Sequence, residues 1–171
     1  MDILRIGHGY DSHRFKAGRP LVLGGVLFPG EDGLDGHSDA DVLLHAVIDA
    51  LLGAAALGDI GSHFPDADPR WAGADSAKLL ASVVDELAAA GWRVGNVDAT
   101  VICERPKLRP RVDEIRARLA ELLKVDVDAV SVKGKTNEKM DDVGAGLGIE
   151  AHAVCVVERW KSGKVERWKG E

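Results

Sequence analysis

Residues 38–56 read SDADVLLHAVIDALLGAAA, and from Val42 onward almost every position is apolar or small. A helix that is greasy all round belongs in an interior, not on a surface. Ser38 or Asp39 can cap its N-terminus, so the stretch predicts a buried helix running to about Ala56. It is too short to span a bilayer. Its polar exceptions are Asp41, His45 and Asp49, spaced i, i+4, i+8, which form one polar line down the helix.

A buried helix needs layers around it, and the flanking sequence supplies them. Upstream, Ile3–Tyr10 alternates as a strand, with Asp11-Ser12-His13 at its end. Leu21–Phe28 reads as a second strand segment, with Gly24-Gly25 marking a bulge or tight turn. Gly30–Gly36 is an acidic, Gly-rich loop. Downstream, Leu57–Gly73 holds two prolines and reads as a long irregular loop, a length that often carries function.

A second helix is predicted from Ser76 to Ala90, capped by Asp75 and stopped by Gly91. Val94–Cys103 follows as a strand, Pro106–Pro110 as a stiff turn, Val112–Leu123 as a third helix and Val127–Val132 as a strand. Lys133–Gly148 is a Gly-rich loop with a helical turn at Glu138–Asp142, and Ile149–Trp160 is the last strand. The order β-β-α-α-β-α-β-loop-β predicts an α/β (α+β) two-layer sandwich, a mixed β-sheet with helices packed on one face. Residues 1–160 read as one domain and 161–171 as a C-terminal extension. Within that extension Ser162-Gly163 either turns a small hairpin or belongs to a frayed charged end.

The 171 residues carry 22 Lys plus Arg against 28 Asp plus Glu, a net charge of -6. That balance argues against nonspecific nucleic-acid binding, which depends on neutralising phosphates. The two cysteines, Cys103 and Cys155, are too few for a disulfide scaffold and suit a reducing compartment. The N-terminus lacks the basic and apolar regions of a secretory signal, so a cytoplasmic protein is expected.

Five of the six histidines lie before residue 64, among several aspartates. In an extended chain residues two apart share a face, so Asp11 and His13 can grip one ion. With His45 they make a three-ligand N/O set that leaves a position open, the pattern of catalytic rather than structural zinc. Asp49 or a backbone carbonyl can orient the His45 ring. The bland alternative is that Asp41 and Asp49 hydrogen-bond a structural His45. Gly134-Lys135-Thr136 lacks the upstream glycine of a phosphate loop, since position 129 is Ala129. What remains there is Lys135, Thr136, Asn137 and Glu138 after a strand, either a phosphate-and-cation site or a solvated turn.

Three blocks are specific: Gly7-His8-Gly9-Tyr10-Asp11-Ser12-His13-Arg14-Phe15, His37-Ser38-Asp39-Ala40-Asp41-Val42-Leu43-Leu44-His45-Ala46 and Leu57-Gly58-Asp59-Ile60-Gly61-Ser62-His63-Phe64-Pro65-Asp66. Together they resemble the 2-C-methyl-D-erythritol 2,4-cyclodiphosphate synthase family, and the resemblance covers about residues 3–157. It implies a homotrimer with active sites between subunits, and cyclisation of 4-diphosphocytidyl-2-C-methyl-D-erythritol 2-phosphate with release of CMP. It implies Zn2+ on Asp11, His13 and His45, and a second divalent cation, Mg2+ or Mn2+, on Glu138.

His37 and Thr136 are implied as catalytic groups. Substrate contacts are implied for Asp11, Ser12, His13, His37, Ser38, Asp59, Ile60, Gly61, Phe64, Pro65, Asp66, Ala67 and Asp68. The same holds for Lys135, Thr136, Asn137 and Glu138, while Cys103, Pro106, Lys107, Leu108 and Arg109 match a cytosine pocket.

The sequence departs from the family pattern in two places. Lys135-Thr136-Asn137-Glu138 lacks the family's consecutive threonines. Asp141-Asp142-Val143-Gly144-Ala145 replaces a glycine-rich run whose aromatic and arginine help form an anion-binding cavity on the trimer axis. Two further readings compete with the cyclase: a zinc-dependent hydrolase of a phosphorylated nucleotide, and a noncatalytic module with a structural metal.

Overall fold

A computed structural model describes residues 3–159; the proposed extension 161–171 and its Ser162-Gly163 turn lie outside the described residues. Five strands form one mixed sheet in the order β2-β1-β5-β3-β4. They are β1 (Leu4–Leu23), β2 (Val26–Leu34), β3 (Trp92–Ile102), β4 (Val130–Lys135) and β5 (Gly148–Arg159). Only β3 and β4 run parallel, joined by helix α4 (Val112–Leu123) as a crossover connection. Helices α1 (Val42–Ala55) and α3 (Ser76–Ala89) complete the second layer, with α1 across β1 and β5 and α3 between α1 and α4. Two single-turn helices, α2 (Ile60–His63) and α5 (Asp141–Gly144), sit in connections.

The greasy stretch behaves as its composition requires: Val42 through Ile48 and Ala50 through Leu52 are all buried in α1. Its cap is Asp41, whose side chain accepts from Leu44 N–H, and not Ser38 or Asp39. Asp41 also accepts from Gly24 N–H at 2.9 Å and Gly25 N–H at 2.7 Å, tying the β1–β2 turn to the helix start. Burial pushes its carboxyl up to about 6 against the pull of those donors.

The strands are longer than their alternation suggests. β1 runs 20 residues because it has two partners: β5 along Leu4–Arg14, then β2 along Phe15–Leu23. Asp11 and His13 therefore lie in mid-strand, still on one face. Leu21–Phe28 is a hairpin, not one strand; Gly24 and Gly25, with φ of 63° and 74°, supply the left-handed pair a two-residue turn demands. Gly30–Leu34 belongs to β2 because it pairs with β1, despite its acidic, Gly-rich sequence. The Leu57–Gly73 loop contains α2 and a 3-10 turn at Pro69–Trp71, each started by an aspartate cap, Asp59 and Asp68. The helical turn expected at Glu138–Asp142 is displaced to Asp141–Gly144.

β1 also turns an unexpected face inward. Gly7 and Gly9 are buried, whereas Leu4 (59%), Ile6 (74%) and Tyr10 (45%) are exposed, as is Val154 (42%) on β5. Among the described residues the helices cover the other face of the sheet. Among the described residues no helix is long and apolar enough to cross a membrane.

Candidate metal centre and nucleotide pocket

β1 and α1 bring three ligands to one point. Asp11 Oδ2 lies 2.9 Å from both His13 Nε2 and His45 Nδ1, and the two ring nitrogens are 3.3 Å apart. The surroundings fix which nitrogens carry protons. His13 Nδ1 is 2.6 Å from the Asp35 carbonyl, which can only accept, so Nδ1 is the N–H. Ser76 Oγ donates to Asp39 Oδ1 at 2.5 Å and is left to accept from His45 Nε2 at 2.9 Å. Ser38 Oγ stands 3.2 Å from the same nitrogen.

Both neutral rings thus aim a lone pair at the Asp11 carboxylate. Three bare acceptors so close repel unless a cation lies among them, and their mixed N/O character suits a divalent metal. Asp41 and Asp49 do not hold His45 as the bland reading had it: Asp41 is spent on the turn, and Asp49 accepts from Ile60 N–H at 2.8 Å.

Protons compete for the same lone pairs. Burial alone would raise the Asp11 carboxyl, but once a proton takes the cation's place on those ring nitrogens, hydrogen bonds from His13 and His45 outweigh burial and bring it down to about 2. Burial also works against charging His13; the adjacent Asp11 carboxylate and the Asp35 carbonyl win, and its pKa rises above 6.5. In the metal-free chain, Asp11 therefore contributes stability present above the ordinary carboxylate range and lost as pH falls toward 2. His13 contributes stability present below 6.5 and lost as pH rises through its folded value. Metal affinity should then weaken by about tenfold per pH unit once pH drops below the raised His13 value, because one proton must leave that ring. Competition of the protein with a chromophoric chelator between pH 5 and 8 checks this, and a flat profile would contradict it.

The second constellation lies at the ends of β3 and β4. A cavity of about 380 Å³ is lined by Cys103, Pro106, Lys107, Leu108, Arg109 and Thr136, among others. Lys135 also lines it. The peptide Arg105–Pro106 is cis. Burial pushes the Cys103 thiol up to about 11, and it donates to the Pro106 carbonyl, so it is a wall and not a nucleophile. Thr136 Oγ1 donates to Glu138 Oε1 at 2.7 Å. This pairs a hydroxyl and a carboxylate, the hard oxygen donors that Mg2+ or Mn2+ accepts. Asn137 spends its amide within the loop, on the Met140 carbonyl and Asp141.

The remaining predicted site residues belong to the first constellation's side of the chain. Ser12 flanks the metal ligands on β1 and its N–H bonds Asp11 Oδ1. His37 holds a buried Nε2 without a hydrogen-bond partner among the described residues. Asp59 caps α2 through the Ser62 N–H and hydroxyl at 2.8 Å, which holds its carboxyl below the usual range. Ile60 and Gly61 form the first turn of α2, Phe64 packs edge-on against Trp71, and Pro65–Asp68 closes a turn beside them.

The two constellations stay apart: Asp11, His13 and His45 do not line the cavity, and Glu138 is not part of their cluster. Sequence reasoning missed Ser76, Asp39 and the Asp35 carbonyl. Ser76 read only as a helix start, and a backbone carbonyl leaves no signal in a sequence.

A curled mixed sheet with helices on one face, holding an Asp–His–His cluster suited to a divalent ion, defines a small α+β protein with a candidate metal centre. The chain belongs to the YgbB family, which it matches over residues 4–158. It is 57% identical over 155 residues to the 2-C-methyl-D-erythritol 2,4-cyclodiphosphate synthase of Thermosynechococcus vestitus, covering 91% of this chain and 96% of that one. It is 59% identical to the synthase of Salinibacter ruber, covering 91% and 99%. Among solved structures it resembles the bifunctional IspDF of Campylobacter jejuni, with a TM-score of 0.90 at 35% identity over 94% of this chain and 44% of that larger one. It also resembles the Plasmodium falciparum IspF CDP complex, with a TM-score of 0.82 at 33% identity, covering 92% and 97%.

Proposed function

We propose that the chain is a cyclodiphosphate synthase of isoprenoid biosynthesis. It converts 4-diphosphocytidyl-2-C-methyl-D-erythritol 2-phosphate into 2-C-methyl-D-erythritol 2,4-cyclodiphosphate and CMP. The observation that carries this reading is identity of 55–59% to curated synthases over nearly the full length of both partners. In the reaction an oxygen of the 2-phosphate attacks the β-phosphorus, a new P–O bond forms, and the bond to the bridging oxygen breaks with CMP as leaving group. No water is consumed.

The chain's own contribution is to fold the substrate so that two anions meet, which is catalysis by proximity. The cavity walled by Pro106, Lys107 and Leu108 receives the cytidine end, in keeping with the CDP held by structural relatives. The Thr136 hydroxyl turns from Glu138 to a phosphate oxygen, and Lys135 adds positive charge. His37, whose buried Nε2 has no partner among the described residues, turns its ring to bond a second phosphate oxygen. Asp59, Ile60 and Gly61 meet the methylerythritol hydroxyls, with Phe64–Asp68 beside them. Asp11, His13 and His45 would hold Zn2+ and Glu138 would hold Mg2+ or Mn2+, which would supply Lewis-acid polarisation of phosphorus and neutralise the crowded phosphates. A 31P NMR time course tests the assignment: cyclic diphosphate and CMP are expected. A linear phosphate carrying oxygen from labelled water would make the protein the alternative hydrolase.

The working form in this reading is a homotrimer with its active sites between subunits. Two features favour it. The metal centre and the nucleotide pocket are separate on one chain, and the uncovered sheet face presents Leu4, Ile6, Tyr10 and Val154. Apolar patches of this kind mark association surfaces. Ile6→Lys should therefore turn a sedimenting trimer into monomer and abolish turnover, while far-UV circular dichroism and metal content persist. An Ile6→Lys protein that stays trimeric would rule this face out.

Residues 1–160 form the catalytic domain in this reading, followed by 161–171 as a C-terminal extension. A cytoplasmic location suits Cys103 and Cys155, both buried free thiols.

A further inference from the structure

The loop carrying Thr136 and Glu138 has an unusual backbone. Glu138, Lys139 and Asp141 have φ of 50°, 61° and 56°, three left-handed residues among four, none of them glycine. Each crowds its Cβ against the chain, so something must hold the loop. The chain does not relieve the crowding by packing: the side chains of Glu138, Lys139 and Asp141 are exposed.

The holder is Asp141. Its Oδ2 accepts from Asn137 Nδ2 at 2.6 Å, and its Oδ1 accepts from the N–H groups of Val143 at 2.9 Å and Gly144 at 3.1 Å. Three donors on one carboxylate are charge-assisted bonds, and they hold its pKa low, first through the Asn137 amide. The Met140 N–H closes on the Asn137 carbonyl at 2.8 Å, and Gly144 N–H on the Met140 carbonyl at 2.9 Å. Gly144 has no room for a side chain, since a Cβ there would lie 2.4 Å from the Lys139 carbonyl carbon. Lys139 N–H reaches Glu104 at the edge of the nucleotide pocket, 3.3 Å away. Asn137 and Asp141, both at places where the sequence departs from the family pattern, are thus the two ends of one bond.

We propose that Asp141 is a positioning residue: by gripping Asn137 across the left-handed turn, it holds the Glu138 carboxylate against Thr136, ready for the second divalent cation. This rests on the reading of Glu138 given above. It sets the affinity of that cation and leaves the Asp11–His13–His45 centre untouched.

The test titrates Mn2+ into the full-length protein with CDP present and reads free Mn2+ by electron paramagnetic resonance, alongside zinc content and the NMR assay. Asp141→Ala and Asn137→Ala should each weaken Mn2+ binding by about 10- to 100-fold, the usual effect of losing a group that orients a ligand. The double variant should fall short of the sum of the two singles, because both lose the same Asn137–Asp141 bond. Asp141→Asn tolerates the left-handed turn but keeps only one of the two acceptor oxygens, leaving an amide NH2 against either Asn137 Nδ2 or the Val143 and Gly144 N–H groups, so it should bind Mn2+ more weakly than wild type. Zinc content should not change.

The decisive variant is Asp141→Gly. It relieves the backbone crowding and so should fold at least as well as Asp141→Ala, yet bind Mn2+ as weakly. Wild-type affinity in Asp141→Gly, or in Asp141→Ala, would overturn the proposal. A wild type that binds Mn2+ in an Asp141-dependent way but yields no cyclic product would instead refute the cyclase reading while supporting the grip.

Discussion

His45→Ala should lose the metal of the Asp11–His13–His45 centre and at least about a thousandfold in turnover, while the chain still folds. The size follows from the chemistry: Lewis-acid stabilisation of a crowded phosphorus is worth several kcal/mol, and each ~1.4 kcal/mol is a decade in rate. The loss of metal follows from geometry. His45 is the one ligand on α1; Asp11 and His13 sit two residues apart on β1 and leave half of the coordination open once it goes.

Folding should survive because His45 stabilises little by itself. Its Nε2 bonds Ser76 and Ser38, but Ser76 keeps its short bond to Asp39, and Ser38 keeps the Ala40 N–H. Metal analysis by mass spectrometry, a thermal melt and the CMP assay read the three claims separately. Full activity with stoichiometric metal would take His45 out of the centre. Ser76→Ala is a graded companion: it frees the His45 tautomer, and about 10- to 100-fold weaker metal binding is expected.

The Asp11–His13–His45 cluster was legible because chemistry forces rare residue types into view. A histidine in a helix whose only other polar side chain is Asp49 needs an explanation, and Asp11 with His13 supplied it. The α4 boundaries were legible too, since Ile115 and Leu119 repeat with helical period and no other element disturbs them. The acidic ribbon Gly30–Leu34 was hidden because its strand form comes from pairing with β1, not from its own side chains. The left-handed loop at Glu138–Asp141 was hidden for the same reason in reverse: Asn137 and Asp141 look like solvated polar residues until their bond closes the turn. The most misleading segment was Ile3–Tyr10. Alternation said strand and was right, but a reader would turn Leu4, Ile6 and Tyr10 inward. In the fold the glycines face the core and the large side chains face out.

That inversion makes Gly7 and Gly9 positions of large expected stability loss: Gly9→Ala should cost more than about 3 kcal/mol or prevent folding, the range of severe core faults. A Cβ on Gly9 would lie 2.0 Å from the Ala46 carbonyl oxygen and 2.6 Å from the Ala50 nitrogen; one on Gly7 would lie 1.8 Å from the Ala50 oxygen. These are backbone atoms of a buried helix, so no rotamer change can make room, and α1 itself must lift. Ala46 and Ala50 are one helical turn apart, which lets the strand lie along the helix backbone to backbone. The same face of β1 continues from Gly7 and Gly9 to Asp11 and His13, and His45 is the neighbour of Ala46. The glycines therefore set the distance that puts His45 Nδ1 2.9 Å from Asp11 Oδ2.

A helix lifted by even 1 Å would part the metal ligands as well as the core. Any Gly9→Ala protein that does fold should bind metal weakly despite an intact ligand set. The control is Gly53→Ala on the same helix, where an added Cβ meets nothing within 4 Å. There the gain in helix propensity should stabilise by about 0.5–1 kcal/mol. Urea titrations of both variants with metal removed separate the cases. A Gly9→Ala midpoint equal to wild type would mean that α1 does not rest on β1 through its backbone.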